Sequence, residues 1–330
     1  MNMIADKLFD KIDEMKNPCV VGLDPVIEKM PKHLLKGNTF EDVAEAFRKF
    51  NFEIIDNVCD IIPAIKPQIA FYEKYGVAGL KAFKDTVDYA HSKGMIVIED
   101  GKRNDIATTA QAYADGHLGV VQTELSKSPS LNVDLLTVNP YLGTDGLTPF
   151  VSVCKEFGKG IFILVKTSNP SSGELQDRLI EITPEEESKL VKSGISITDH
   201  KTMVYNLVAL QVNNYAQEDI GLRGYSSIGA VVGATYPSQA EELRKIMPNS
   251  IFLVPGYGAQ GGKSKDLVNC FNKDGYGAVV NSSREIIFAY QKGGDPLKFA
   301  DASRIAAQAM IKDICSALKE SNKYPVNWKD

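Results

Sequence analysis

The sequence predicts an α/β fold, a (β/α)8 TIM barrel, as a single domain over residues 1–330 with an elaborated loop after the fifth strand. Three observations predict it. Eight short apolar runs, rich in Val, Ile and Leu and without in/out alternation, read as parallel strands buried on both faces. Helical stretches with apolar residues at three-to-four spacing separate them. No Ser/Gly-rich linker divides the 330 residues, a length that suits one large domain or two small ones. A doubly wound open sheet is the rival, but such sheets more often have fewer strands.

In chain order the strands are CVVGL (19–23), IIPAIK (61–66), MIVIE (95–99), VDLLTV (133–138), GIFILVK (160–166), IGAVVG (228–233), SIFLVP (250–255) and GAVVN (277–281). Helices are expected over 40–58, 75–94, 200–217, 237–247 and 295–320, with Gly76, Gly94 and Pro248 as punctuation. Ile4, Leu8, Ile12 and Met15 mark one stripe of an N-terminal amphipathic helix that carries charges throughout and does not read as a targeting signal. Residues 168–227 form the longest departure. Their polar, acidic first half has too few apolar residues for a core of its own, and is expected to be an elaborated, partly helical loop.

Composition narrows the function classes. The net charge of −5 argues against a general nucleic-acid binder, which needs clustered Lys and Arg. No run of about eighteen apolar residues offers a membrane span, so a cytoplasmic location is the default. The five cysteines are scattered and none are spaced as zinc ligands; free thiols in a reducing compartment are expected. The four His form no HxxxH or HExxH pattern.

A barrel gathers its ligand-binding groups at the carboxyl ends of its strands. Nearly every run here ends in a polar group: Asp24, Lys66, Asp100 with Lys102 and Asp105, Asn139, Lys166 with Thr167 and Ser168, Thr235, the loop PGYGAQGG, and Asn281 with Arg284. That concentration points to an enzyme. Asp100 and Lys102 are two apart and share a side if the strand continues, and Lys66 ends the preceding strand. Opposite charges about 4 Å apart attract by roughly 4 kcal/mol at an effective dielectric near 20, so a Lys–Asp–Lys–Asp chain stays ionised in a partly dry pocket. A lysine held as an ammonium is a proton donor. The same charges also suit a plain salt-bridge cluster closing the barrel mouth.

GYGAQG is a literal G-x-G-x-x-G, but it follows the seventh strand, and the eighth ends in NSSRE. A phosphate site in the last two loops of a barrel explains it better than a dinucleotide fold. Gln260 can donate to phosphate oxygens and Arg284 can pair with them bidentately. Asp24, Asp100 and Asp105 could hold Mg²⁺, but Lys66 and Lys102 would compete for the same carboxylates. No GxSxG is present, which leaves nucleophilic catalysis little support.

IEDGKRNDIATT resembles the D-x-K-x-x-D-I-x-x-T signature of the orotidine 5′-phosphate decarboxylase family, and GLDP, AIKPQ, VKTSNPSS, PGYGAQGG and SSRE follow in that family's order. The resemblance spans essentially the whole chain and points to the longer-chain branch. It implies decarboxylation of orotidine 5′-monophosphate to UMP in de novo pyrimidine biosynthesis, a carboxy-lyase activity without metal or cofactor. It implies Lys102 as proton donor to C6, Asp100 beside the departing carboxylate, and Lys66 completing the charge network and, with Asp24, holding the ribose hydroxyls. Ser168 would bond the pyrimidine edge. Gln260 and Arg284 would hold the phosphate, with Pro255 at the start of a lid over 255–265. Asp105, Ile106 and Thr109 would reach the partner's active site in a homodimer. D-x-K-x-x-D is shared with sugar-phosphate decarboxylases and aldolases of the same superfamily, so a Mg²⁺-dependent sister enzyme stays open as an alternative, as does a non-catalytic nucleotide-binding protein.

Overall fold

Short β-branched segments that can bury both faces need helices on the outside and each other at the sides, and a closed ring of parallel strands meets both needs. The computed structural model, which describes residues 3–258 and 264–328, has that arrangement. Its barrel strands are β1 (Cys19–Leu23), β2 (Ala64–Pro67), β3 (Ile96–Arg103), β4 (Leu135–Val138), β5 (Gly160–Lys166), β6 (Ser226–Val232), β7 (Ser250–Val254) and β8 (Ala278–Ser282). They pair in sequential order, and β8 closes on β1 through Cys19 opposite Val280 and Val20 opposite Asn281. Apart from Leu164 and the carboxyl end of β3, every barrel-strand residue is buried, which is why the runs lack alternation.

Helices fill the outer layer at Phe40–Val58, Gly76–Ser92, Ala107–His117, Thr144–Phe157, Val204–Gln217, Pro237–Ile246 and Phe299–Glu320. The first is set by a capping box, in which Asp42 N–H donates to Thr39 Oγ1 and Thr39 N–H donates back to Asp42 Oδ2. The N-terminal helix Ile4–Met15 buries Ile4, Leu8 and Ile12 as its stripe requires. It is tied down where Asp6 accepts from the backbone N–H groups of Leu222 and Arg223, at 3.1 and 2.9 Å.

Two of these outer-layer helices lie where the periodicity gave none. Ala107–His117 buries only Ala110, Ala114 and His117, too small a face to stand out, and Thr144–Phe157 contains Pro149 within its first turns. The third strand also runs beyond Glu99. Its pairing with β4 shifts between Glu99 and Arg103 and resumes at Arg103 opposite Val138. The extra residues form a bulge, with Lys102 at φ 46°, a left-handed conformation uncommon outside glycine.

After β5 come a 3₁₀ turn (Pro170–Glu174), an antiparallel pair (Leu179–Glu181 with Lys201–Met203) and the helix Pro184–Lys192 between them. This inserted unit is pinned to the barrel by Lys166. Its side chain is 1% exposed, and its ammonium lies 2.7 Å from Asp177 and over the ring of Tyr236.

Candidate active site

The carboxyl ends of the strands enclose a cavity of about 540 Å³. Asp24 enters it from the end of β1, Lys66 from β2 and Asp100 and Lys102 from the β3 bulge, while Arg284 follows β8. The four central charges alternate in sign. Lys66 Nζ lies 2.9 Å from Asp100 Oδ2, and Lys102 Nζ lies 2.5 Å from Asp100 Oδ1.

The bulge makes this possible. In a regular strand Asp100 and Lys102 would point the same way with their stems parallel. The left-handed turn at Lys102 folds its amine back onto the carboxylate two residues earlier. Gly101 between them is closely surrounded: a Cβ there would sit 2.7 Å from Glu99 Oε1 and 3.1 Å from Leu136 Cδ1, so those side-chain ends would have to shift. Glu99 is fully buried on the other side of the strand, where His117 Nδ1 is 2.7 Å from its Oε2.

Burial pushes the pKa of Asp100 up, but the ammonium groups of Lys66 and Lys102 outweigh it and hold the carboxyl well below the usual carboxylate range. Burial likewise favours a neutral Lys66, and the carboxylates of Asp100 and Asp24 overcome this and raise its pKa. Asp24 shows the reverse balance. Its burial is only partly offset by Lys66 and by a bond from Ser283, so its pKa is raised. Among the described residues, buried Asp24 Oδ1 has no hydrogen-bond partner, which leaves an acceptor for a ligand hydroxyl.

Of the residues singled out in the sequence, Asp24, Lys66, Asp100, Lys102, Thr167, Ser168, Pro255, Asn281 and Arg284 line this one cavity. Gln260 lies outside the described residues, as do the other residues of 259–263 in the 255–265 lid. Asp105, Ile106 and Thr109 do not line it. Asp105 accepts from the Ile106 N–H at 2.8 Å, and Ile106 and Thr109 are exposed at the start of the helix Ala107–His117.

Some polar strand ends face elsewhere. Asn139 lines a separate, more apolar cavity of about 630 Å³, Thr235 is exposed, and Lys166 is committed to Asp177. Arg103 pairs with Glu73 and lies over the Tyr113 ring, so of the charges after Glu99 only Asp100 and Lys102 enter the cavity. The cavity also contains groups the sequence did not flag, among them Thr137, Gln176 and Tyr257. Gln176 is brought in by the inserted unit, where it accepts from Thr167 N–H at 3.0 Å and donates to Thr167 Oγ1 at 2.8 Å. A residue nine positions on in a polar loop carries no local signal of such a return.

This geometry combines an ammonium–carboxylate chain at the ends of β1 to β3 with an exposed arginine after β8. It suits a ligand with a charged reacting group at one end and an anion at the other.

Comparison with known proteins agrees. The model of the orotidine 5′-phosphate decarboxylase / HUMPS family matches residues 20–294. The orotidine 5′-phosphate decarboxylase of Rhodopirellula baltica is 45% identical over 302 residues, 89% of this chain and 93% of the relative. That of Petrotoga mobilis is 40% identical over 315 residues, 95% of this chain and 99% of the relative. Among solved structures, the OMP decarboxylase of Leishmania donovani is 27% identical with a TM-score of 0.66, covering 96% of this chain and 98% of that one. The enzyme of Methanocaldococcus jannaschii, at 18% identity and a TM-score of 0.52 over 88% of this chain and 98% of that one, shares the fold. With relatives this similar along most of its length and eight parallel strands closed around the D-x-K-x-x-D segment, the chain belongs to the orotidine 5′-phosphate decarboxylase / HUMPS family.

Proposed function

We propose that this chain removes CO2 from orotidine 5′-monophosphate to give UMP, with Lys102 as the proton donor. The observation that carries the reading is Asp100 held between two ammonium groups, one of them buried Lys66, at the wall of a nucleotide-sized cavity. In the reaction the bond from C6 to the carboxylate breaks and its electron pair stays on C6, in the ring plane, where the π system delocalises it poorly. The Lys102 ammonium stabilises that charge as it forms and delivers a proton to C6. Asp100 lies beside the substrate carboxylate and repels it, a repulsion that ends as neutral CO2 departs. Because the Lys102 amine already lies against Asp100, it arrives oriented, which lowers the reorganisation needed during the step.

Asp24, with its unpartnered oxygen, and Lys66 hold the ribose hydroxyls, and Ser168 meets the pyrimidine edge. Pro255 lines the wall towards the phosphate, and Gln260 joins Arg284 in binding it. No ion-pair partner for Arg284 is found among the described residues, so its guanidinium is available to a ligand. Arg284→Ala is expected to raise KM for the nucleotide by about 100-fold, the order of a lost charge-assisted pair. An unchanged KM would place the phosphate elsewhere.

The same reading assigns Asp105, Ile106 and Thr109 to the neighbouring subunit's site in a homodimer, in keeping with the position of half-buried Asp105 and exposed Ile106 and Thr109 outside their own cavity. Mixing inactive Lys102→Ala and Asp105→Ala chains is expected to restore part of the activity, since mixed dimers then hold one intact site. No recovery after subunit exchange would mean that each site is self-contained.

The reading is tested by adding orotidine 5′-monophosphate with EDTA and following the ultraviolet absorbance of the pyrimidine. Loss of substrate absorbance with appearance of UMP is expected at an unchanged rate. Activity abolished by EDTA and restored by Mg²⁺ would favour a metal-dependent sister reaction. Binding of UMP without turnover would favour a non-catalytic nucleotide-binding protein.

A further inference from the structure

We propose that Thr137 is a positioning residue for the decarboxylation, fixing through one hydroxyl both the backbone of Lys102 and the carboxylate of Asp100. Thr137 sits on β4, is 1% exposed and lines the active-site cavity. Its Oγ1 accepts from the Lys102 backbone N–H at 2.9 Å and donates to Asp100 Oδ1 at 3.1 Å. Asp100 Oδ1 is the same oxygen that the Lys102 amine approaches to 2.5 Å.

Each half of this arrangement answers a physical need. Lys102 adopts φ 46° within a bulge, where the ladder between β3 and β4 is interrupted and its N–H has lost its strand partner. A left-handed conformation in a residue with a long side chain persists only where the surroundings hold it. The Thr137 hydroxyl supplies that hold and satisfies the orphaned donor. Its own proton then goes to Asp100 Oδ1, so the hydroxyl's donor is fully used and its direction is fixed. The carboxylate is thereby oriented with Oδ2 towards Lys66 and Oδ1 towards Lys102. Thr137 touches no reacting atom in this scheme. It acts through the direction in which the ammonium points.

The inference rests on the decarboxylase reading, and kinetics on four proteins separate the two. Wild type, Thr137→Val, Thr137→Ala and Thr137→Ser are compared for kcat, KM and the Kd of UMP. Thr137→Val keeps the shape and β-branching but not the hydroxyl. It is expected to lower kcat by about 10- to 100-fold, the size associated with a misplaced reacting group, while KM and the UMP Kd stay within a few-fold of wild type. Thr137→Ser, which keeps the hydroxyl, is expected to restore most of kcat. If the valine chain does not fold, the alanine and serine pair carries the same contrast. A valine or alanine variant with wild-type kcat overturns the proposal. So does a serine variant as slow as alanine, or a loss of UMP affinity matching the loss of kcat, since either marks a merely structural role. A wild-type chain that leaves orotidine 5′-monophosphate untouched overturns the decarboxylase reading itself.

Discussion

Lys102→Ala is expected to fold, to bind UMP with near wild-type affinity, and to lose roughly 10⁴-fold or more in kcat. The magnitude follows from the two tasks assigned to one amine. Positioned proton transfer contributes about 10²–10⁴-fold, and a preorganised charge facing the developing anion contributes about 10²–10³-fold. These do not simply multiply when one group does both. Folding survives because the Lys102 side chain is 46% exposed and its stem fills no part of the core. Asp100 keeps its bond to Lys66 and the bond from Thr137, so the removed charge does not leave it stranded. Steady-state kinetics beside a UMP titration reads the split between catalysis and binding. A variant within about tenfold of wild-type kcat would remove Lys102 from the chemistry, since such a residue is required to supply far more.

Asp100→Ala has the second large effect, and here stability falls along with turnover. The Lys66 side chain is 5% exposed, and Asp100 is its hydrogen-bonded counterion. Removing one member of a buried ion pair costs about 3–5 kcal/mol, because the survivor stays desolvated without compensation. The raised pKa of Lys66 also depends on Asp24, whose charge remains after the change, so the lower part of that range is expected. Equilibrium urea unfolding gives the number through a reduced midpoint at unchanged slope. A second substitution, Lys66→Met, is expected to recover part of the lost stability, though none of the activity. A midpoint equal to wild type in Asp100→Ala would show that the pair is not the buried clamp described here.

The sequence revealed the barrel more readily than the site, for a physical reason. A strand buried on both faces must be apolar throughout, so β1, β5 and β7 begin where their apolar runs begin, at Cys19, Gly160 and Ser250. Helices were legible where one face is strongly apolar, as in Phe40–Val58, and not where small residues or Pro149 blur the face. In the site, position at a strand end locates a residue along the barrel axis but not around the strand. Asp100 and Lys66 turn inward, whereas Asn139, Thr235 and Lys166 occupy equivalent places in the sequence and point elsewhere. The bulge at Gly101 and Lys102 is what brings the Lys102 amine back to Asp100, and no local spacing rule announces it. Thr137 and Gln176 were missed because one looks like an ordinary β-branched strand residue and the other returns from a long insertion.

The central claim is that the Lys102 ammonium faces the place where negative charge collects at C6. It is tested most directly by a crystal structure with a UMP analogue carrying an ionised oxygen at C6. The account predicts Lys102 Nζ about 2.7–2.9 Å from that oxygen, the distance of a charge-assisted bond, with Asp100 still between Lys66 and Lys102. A structure in which the analogue fills the cavity while the Lys102 amine turns to solvent would contradict it.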